Sequence, residues 1–259
     1  MAETLLEAMT EDERIIVLGE DVARLGGVFG ATRKLHAQFG SERVLDTPIS
    51  ETAFIGAAIG AAQAGLRPVV ELMFVDFLGV CFDQIVNQMA KHRYMSGGRV
   101  TVPLVLRTAV GCIGAAAQHS QVLSASFAHI PGLKVAFPAS PGDLRGLLLT
   151  ALADPDPVVF LEHKWLLKTR ADSQPWHEDE PLAVEPVEFG RLRRLRDGGD
   201  ITIVAAGYMV QLAYLAAQEL AGEGIEAGVI DLRTLVPLDR EGLVHEAASA
   251  PTLLVVDDD

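Results

Sequence analysis

Glu51 is the carboxylate from which the chemistry of this sequence is most readily argued. It closes the run Asp46-Thr47-Pro48-Ile49-Ser50 and opens a stretch of small apolar residues, TAFIGAAIGAAQAG, that carries no charge of its own. An acid in the first turn of a helix interacts well with the helix dipole, and Ser50 is a competent N-cap. On that reading Glu51 is structural. Its position argues for more. The apolar run Arg43-Val44-Leu45 precedes it, so the acid lies past the carboxyl end of a strand, where open α/β sheets place their ligands. Gly56 and Gly60 are spaced to let a neighbouring backbone come close, and tight helix packing explains them equally well. His119 is the second candidate. It stands in AAAQHSQ (115–121), past the run VPLVLRT (102–108), and is either a solvated loop imidazole or a proton-transferring group. Ser120 does not pair with it, because adjacent loop residues rarely face each other productively, and no Gly-x-Ser-x-Gly elbow is present. His129 reads as a helix-end or packing residue.

Several kinds of chemistry are missing from the sequence. No G-x-x-x-x-G-K-[ST] loop occurs, and no G-x-G-x-x-G follows a strand. RDGGD (196–200) reads as a turn. Cys81 and Cys112 have neither Cys-x-x-Cys nor Cys/His ligand spacing and read as reduced packing thiols of a cytosolic protein. An acid and an imidazole without any phosphate- or metal-binding loop make half of a site.

The elements that must position these residues alternate. Strand candidates are RIIVLG (14–19), RVLDTPI (43–49), RPVVELMF (67–74), VPLVLRT (102–108), LKVAFPAS (133–140) and PVVFLEH (157–163), with helical patterns between most of them. Near-continuous apolar strands predict a parallel sheet covered on both faces, hence a doubly wound α/β domain. Ser140-Pro141-Gly142-Asp143 is a helix start, with Ser as N-cap and Pro at the first helical position. Residues 165–200 are rich in charge and proline and read as a linker with short strands. A second alternation follows: strand 201–209, a helix to about Ala221, strand 226–234, a helix after Pro237 and strand 252–257. Three strands leave exposed sheet edges.

Of the 259 residues, 49% are hydrophobic and 22% charged, and the formal net charge is −14. Nucleic acid requires a basic footprint and anionic membranes attract basic segments, so neither is an expected partner. No uncharged apolar run reaches the ~18 residues of a membrane span. The acidic, amphipathic start MAETLLEAMTEDER is unlike a signal peptide, and a cytoplasmic location is expected.

VLGEDV, GGVFGAT, RVLDTPISE, GLRPVVELMFVDF, FDQIVNQMAKHRYMSGG, AAQHSQ, FAHIPGLKVAFPASPGD and VIDLRTLVPLD together resemble the β subunit of a thiamine-diphosphate-dependent 2-oxo acid dehydrogenase E1 component. LDTPISE, ELMFVDFLGVCFDQI and RYMSGG are most similar to acetoin dehydrogenase E1β. The resemblance implies a pyrimidine-binding α/β domain over 1–185, with its linker from about 165, and a transketolase C-terminal-type domain over 186–259 that ends before the family's usual C-terminus. It implies that Glu51 hydrogen-bonds N1′ of the cofactor's aminopyrimidine, that Phe77 lies beside that ring, and that His119 faces the substrate and the incoming lipoyl group. Apolar surroundings favour a protonated carboxyl, and a helix N-terminus opposes this. It further implies Mg²⁺ held by an E1 α subunit, an α2β2 heterotetramer, transfer to a lipoyl-bearing E2, and a structural K⁺ held through main-chain carbonyls of Val102, Leu104, Val105, Ala151, Asp154 and Asp156. Three functions compete: acetoin cleavage, pyruvate or branched-chain 2-oxo acid specificity, and a non-catalytic interaction subunit in which Glu51 is only a cap.

Overall fold

The computed structural model describes residues 1–114, 116–169, 173–176 and 185–258. Part of the charged stretch read as a linker, 170–172 and 177–184, lies outside the described residues. The strands in chain order are β1 (Ile15–Gly19), β2 (Val44–Asp46), β3 (Arg67–Phe74), β4 (Val105–Val110), β5 (Lys134–Ala136), β6 (Val158–His163), β7 (Arg193–Arg196), β8 (Ile201–Ala205), β9 (Ala227–Asp231), β10 (Thr234–Val236) and β11 (Thr252–Val255). They form a seven-stranded sheet in the order β10-β5-β6-β4-β3-β1-β2 and a four-stranded sheet in the order β11-β8-β9-β7. β1 to β6 pair with one another only in parallel. β4 and β6 are buried at every position, which is why their sequences show no polar alternation.

Helices cover both faces of the first sheet. Val70, Leu72, Leu106 and Leu161 point to a core shared with Phe54, Ile55, Ala58 and Ile59 of the helix Glu51–Gln63. Val17, Val69, Val105 and Phe160 point the other way, to Leu5 and Met9 of the helix Ala2–Glu11 and to Leu147 and Leu148 of the helix Pro141–Ala153. Neighbouring residues such as Val69 and Val70 serve opposite cores, as the two-residue period of a strand requires. Burying each large side chain contributes about 1.5–3 kcal/mol. The helix Pro141–Ala153 starts as its sequence predicts: the Asp143 amide donates to Ser140 Oγ at 3.0 Å.

Four expectations are corrected. The run 226–234 is not one strand. It ends at Asp231, turns through Arg233 in the left-handed region (φ 57°), and continues as β10, which crosses to the first sheet and pairs antiparallel with β5. The charged stretch contributes β7, antiparallel to β9, so the second sheet has four strands among the described residues. The strands at 43–49, 133–140 and 102–108 are displaced or shortened: β2 and β5 have three residues each, and β4 starts at Val105. Cys112 is exposed and only Cys81 is a packing thiol, with burial and the nearby Glu51 carboxylate pushing the latter up to about 12.

The two halves are joined by a buried charge cluster. Asp143, in the first helical turn after Ser140, accepts from Arg233 Nη2 at 2.7 Å and Arg193 Nη1 at 3.5 Å. Asp231, fully buried beside them, accepts the Arg233 amide at 2.8 Å. Burial, and then the Asp143 carboxylate, push Asp231 up to about 8. A carboxyl whose folded pKa is raised contributes stability that is fully present below its unfolded pKa, about 4, and is lost as pH rises through the folded value. Asp231 is therefore expected to cost the protein thermal stability as pH rises from about 4 to about 8. Asp231→Asn, which keeps an oxygen for the Arg233 amide, should flatten that decline. Parallel melting curves of the two proteins against pH check this, and equal slopes would contradict it.

Candidate active site

The parallel strands bring the sequence candidates to one edge. Glu51 follows β2, Phe77 follows β3 in the 3-10 turn Val75–Gly79, and His119 closes the 3-10 turn Ala117–His119 in the loop after β4. All lie past carboxyl ends of parallel strands, the edge at which open α/β sheets bind their ligands.

Glu51 is 7% exposed, and no donor among the described residues reaches its carboxylate. Ser50 does not cap the helix with its side chain; its hydroxyl donates back to the Pro48 carbonyl at 3.1 Å. Glu51 thus stands as an open acceptor. A second acid lies near enough for their charges to interact. Glu20, just past β1, is 8% exposed, and its Oε1 has no hydrogen-bond partner among the described residues. Burial first, then the charges of Glu51 and Asp21, push the Glu20 carboxyl above its ordinary value.

The helix carrying Glu51 is tied to the Phe77 turn. Thr52 Oγ1 donates to the Val80 carbonyl at 2.6 Å, and Cys81 Sγ to the Phe77 carbonyl at 3.5 Å. Phe77 and His119 meet edge to face with centroids 5.8 Å apart. Phe74, at the end of β3, packs against both: its ring is 4.8 Å from His119, 5.8 Å from Phe77 and 6.1 Å from Phe29. His129 is an exposed helix-end residue. Sequence reasoning singled out Glu51, Phe77 and His119 and missed Glu20 and Phe74. Both lie inside quoted motifs, VLGEDV and MFVDF, and only their neighbours in space distinguish them.

Gly56 leaves room for the Gln84 side chain, whereas Gly60 faces no other described segment. A Cβ on Gly56 would meet only the tip of Gln84, and one on Gly60 would meet nothing within 4 Å. The small face of the helix, Ala53, Ala57 and Gly60, is exposed. Ile49, Val80 and Phe82 beside it are exposed by 83%, 57% and 49%.

The residues implied for potassium do gather, but positive charge is already there. Arg67 Nη1 donates to the carbonyls of Leu152 at 2.7 Å and Asp154 at 3.3 Å, and Lys134 Nζ donates to the Asp154 carboxylate at 2.6 and 2.7 Å. Asp156 pairs with Arg93 and, at 3.6 Å, with Lys134. The Leu104 and Ala151 carbonyls accept the amides of Val158 and Asp154 at 2.9 and 3.3 Å; Val102 and Val105 are buried beside them. This donor set fits a further cation poorly, and no step is routed through one. Among the described residues, no three His, Cys, Asp or Glu side chains group as a metal site, and no helix is long and apolar enough to cross a membrane.

Residues 1–169 match the family model described as transketolase, pyrimidine binding domain, and residues 190–259 that of transketolase, C-terminal domain. The chain is 48% identical to the acetoin:2,6-dichlorophenolindophenol oxidoreductase subunit beta of Cupriavidus necator, over 99% of this chain and 77% of that one. Identity is 44% to the pyruvate dehydrogenase E1 component subunit beta of Rickettsia conorii, over 100% and 77%. It is 43% to the 2-oxoisovalerate dehydrogenase subunit beta of Bacillus subtilis, over 98% and 76%. Among solved structures, a split-gene transketolase described as an inactive beta4 tetramer superposes with a TM-score of 0.77 at 26% identity, over 98% of this chain and 77% of that one.

Proposed function

The chain belongs to the β subunits of thiamine-diphosphate-dependent 2-oxo acid and acetoin dehydrogenase E1 components, and we propose that it supplies the proton-handling half of an active site completed by an α subunit. The observation that carries this is the buried Glu51 carboxylate, without a donor of its own, beside a second buried acid with an unpartnered oxygen. Open acceptors fit a ligand that brings N–H donors, as an aminopyrimidine does. Thiamine diphosphate, when bound, supplies a nucleophilic carbon and an electron sink for breaking the C–C bond beside a carbonyl. This chain's residues do the rest. Glu51 holds the pyrimidine N1′ and shares a proton with it. Phe77 presents a flat apolar surface beside the ring. His119 donates or accepts protons where substrate and the lipoyl group enter.

An α subunit is proposed for the diphosphate and Mg²⁺, in an α2β2 assembly, with a lipoyl-bearing E2 as acceptor. Two features support it. The sequence has no phosphate loop. The exposed small face of the Glu51 helix and the apolar residues beside it suit a close helix contact with another chain. Acetoin is the substrate proposed, supported by the 48% identity to an acetoin enzyme against 44% and 43% for the pyruvate and 2-oxoisovalerate relatives.

The test is calorimetric titration with thiamine diphosphate and Mg²⁺, first of this chain alone and then of the chain copurified with its α partner. No binding is expected alone and micromolar binding in the assembly, with acetoin turned over faster than pyruvate or 3-methyl-2-oxobutanoate. Micromolar binding by the single chain would overturn the half-site. Faster turnover of either 2-oxo acid would move the specificity to that class.

A further inference from the structure

Lys164 is the only lysine among the largest fully buried side chains, with 0% exposure, and among the described residues no carboxylate lies within 4 Å of its ammonium. A buried cation without a paired anion is costly, and its presence calls for a reason. Its Nζ donates to the carbonyls of His119 at 2.7 Å and Gly111 at 3.0 Å. It also sits 5.1 Å from the centre of the Phe74 ring, the ring that lies 4.8 Å from the His119 imidazole. Gly111 is where the loop leaves β4. It has φ +92°, and a Cβ there would collide with His163. One ammonium therefore ties together the start of the loop, its imidazole-bearing turn and the aromatic side chain against which that imidazole rests.

The loop is held from the opposite side by Asp76, next to Phe77. Asp76 Oδ1 accepts from the amides of Ser120 and Gln121 at 3.2 and 3.3 Å and from Gln121 Nε2 at 2.8 Å. The Lys164 ammonium and the Asp76 carboxylate attract each other through this loop, against the burial that lowers the Lys164 pKa. Positive charge meets the carbonyls and negative charge meets the amides, so the backbone around His119 is clamped by opposite charges on its two kinds of polar group.

We propose that Lys164 is a positioning residue that fixes His119, resting on the role given above to His119 in acyl transfer. Lys164 does not touch the reacting atoms. It sets where the imidazole stands relative to Phe74 and Phe77. Misplacing a reacting group by an ångström costs roughly 10²-fold in rate.

The experiment uses the enzyme assembled with its α subunit and two readouts: hydrogen–deuterium exchange at thiazolium C2, which precedes any work by His119, and transfer to free lipoamide. Lys164→Met should lower transfer by about 10- to 100-fold while changing exchange by less than about threefold. In the His119→Ala background the same substitution should lower transfer no further. Additive losses, equal losses in both readouts, or transfer within twofold of wild type would each overturn the proposal. Lys164→Gln, which keeps an N–H donor on a shorter stem, should fall between wild type and Lys164→Met. If both variants fail to fold, Lys164 is structural and the proposal is overturned. If wild type exchanges and transfers normally but His119→Ala transfers equally well, the role of His119 fails and this inference with it, a result distinct from a failure of Lys164 alone.

Discussion

Glu51→Gln is expected to lower turnover of the assembled enzyme by about 10²–10⁴-fold, the usual worth of one positioned proton-transfer group, and to leave the fold intact. The structure sharpens this expectation. Glu51 accepts no hydrogen bond from the described residues, so the amide takes no native contact away. It also removes a charge that pushes up the neighbouring Glu20 carboxyl. Melting temperature should therefore hold steady or rise while C2 exchange slows. A helix-capping role makes the opposite forecast. Stability would fall by about 0.5–2 kcal/mol, as loss of a first-turn acid or cap does, and activity would be nearly normal. The two outcomes differ in sign on one axis and in decades on the other. One preparation of the variant, assayed for melting and for exchange, decides between them.

The second large effect is expected at Arg107, under the site rather than in it. Arg107, in the middle of β4, donates through Nε and Nη2 to Glu162 of β6 at 2.6 and 2.8 Å, and through Nη1 to Glu71 of β3 at 2.8 Å. All three side chains are at most 10% exposed. Burial alone would lower the Arg107 pKa, and the two carboxylates more than reverse it. The guanidinium thus holds together the three strands whose carboxyl ends carry the Phe77 turn, the His119 loop and Lys164. Arg107→Met leaves two buried carboxylates without their cation, and breaking a buried pair in this way costs about 3–5 kcal/mol. Burial first, then Glu162, hold the Glu71 pKa above its ordinary value, while Arg107 opposes them; without Arg107 it rises further. A carboxyl with a raised folded pKa contributes stability at low pH and loses it as pH rises through that value. The deficit of Arg107→Met should therefore be largest above neutrality and shrink toward pH 5. Urea unfolding at pH 5 and pH 8 measures it. Adding Glu71→Gln and Glu162→Gln should restore most of the loss at pH 8. A deficit independent of pH and not relieved by the two amides would show lost packing rather than unpaired charge.

Much of the scaffold follows from local chemistry. The apolar, β-branched runs at 14–19, 67–74 and 157–163 became β1, β3 and β6 nearly to the residue. A strand buried on both faces is apolar at most positions, and the charges it does bury, Glu71, Arg107 and Glu162, are paired with one another. Ser140-Pro141 started its helix because the cap satisfies a backbone donor that no other group supplies. Parallel strands also place their carboxyl ends together, so Glu51, Phe77 and His119 could be assigned to one edge before any distance was known. The tertiary structure alone decided what those residues touch. Lys164 reads in sequence as one polar residue at the end of an apolar strand. Its contacts are 45 and 53 residues away. The Glu51 charge acts on Glu20 from 31 residues along the chain, and Thr234 of β10 pairs with Ala136 of β5 from 98 residues along it. Hydrophobic period encodes which face of an element is buried, and caps and glycines encode where it starts and turns. Strand order and register are set by the summed packing of all the elements, and no single segment carries them. The exposure of Cys112, the open face at Gly60 and the cation that holds the His119 loop were fixed at that level.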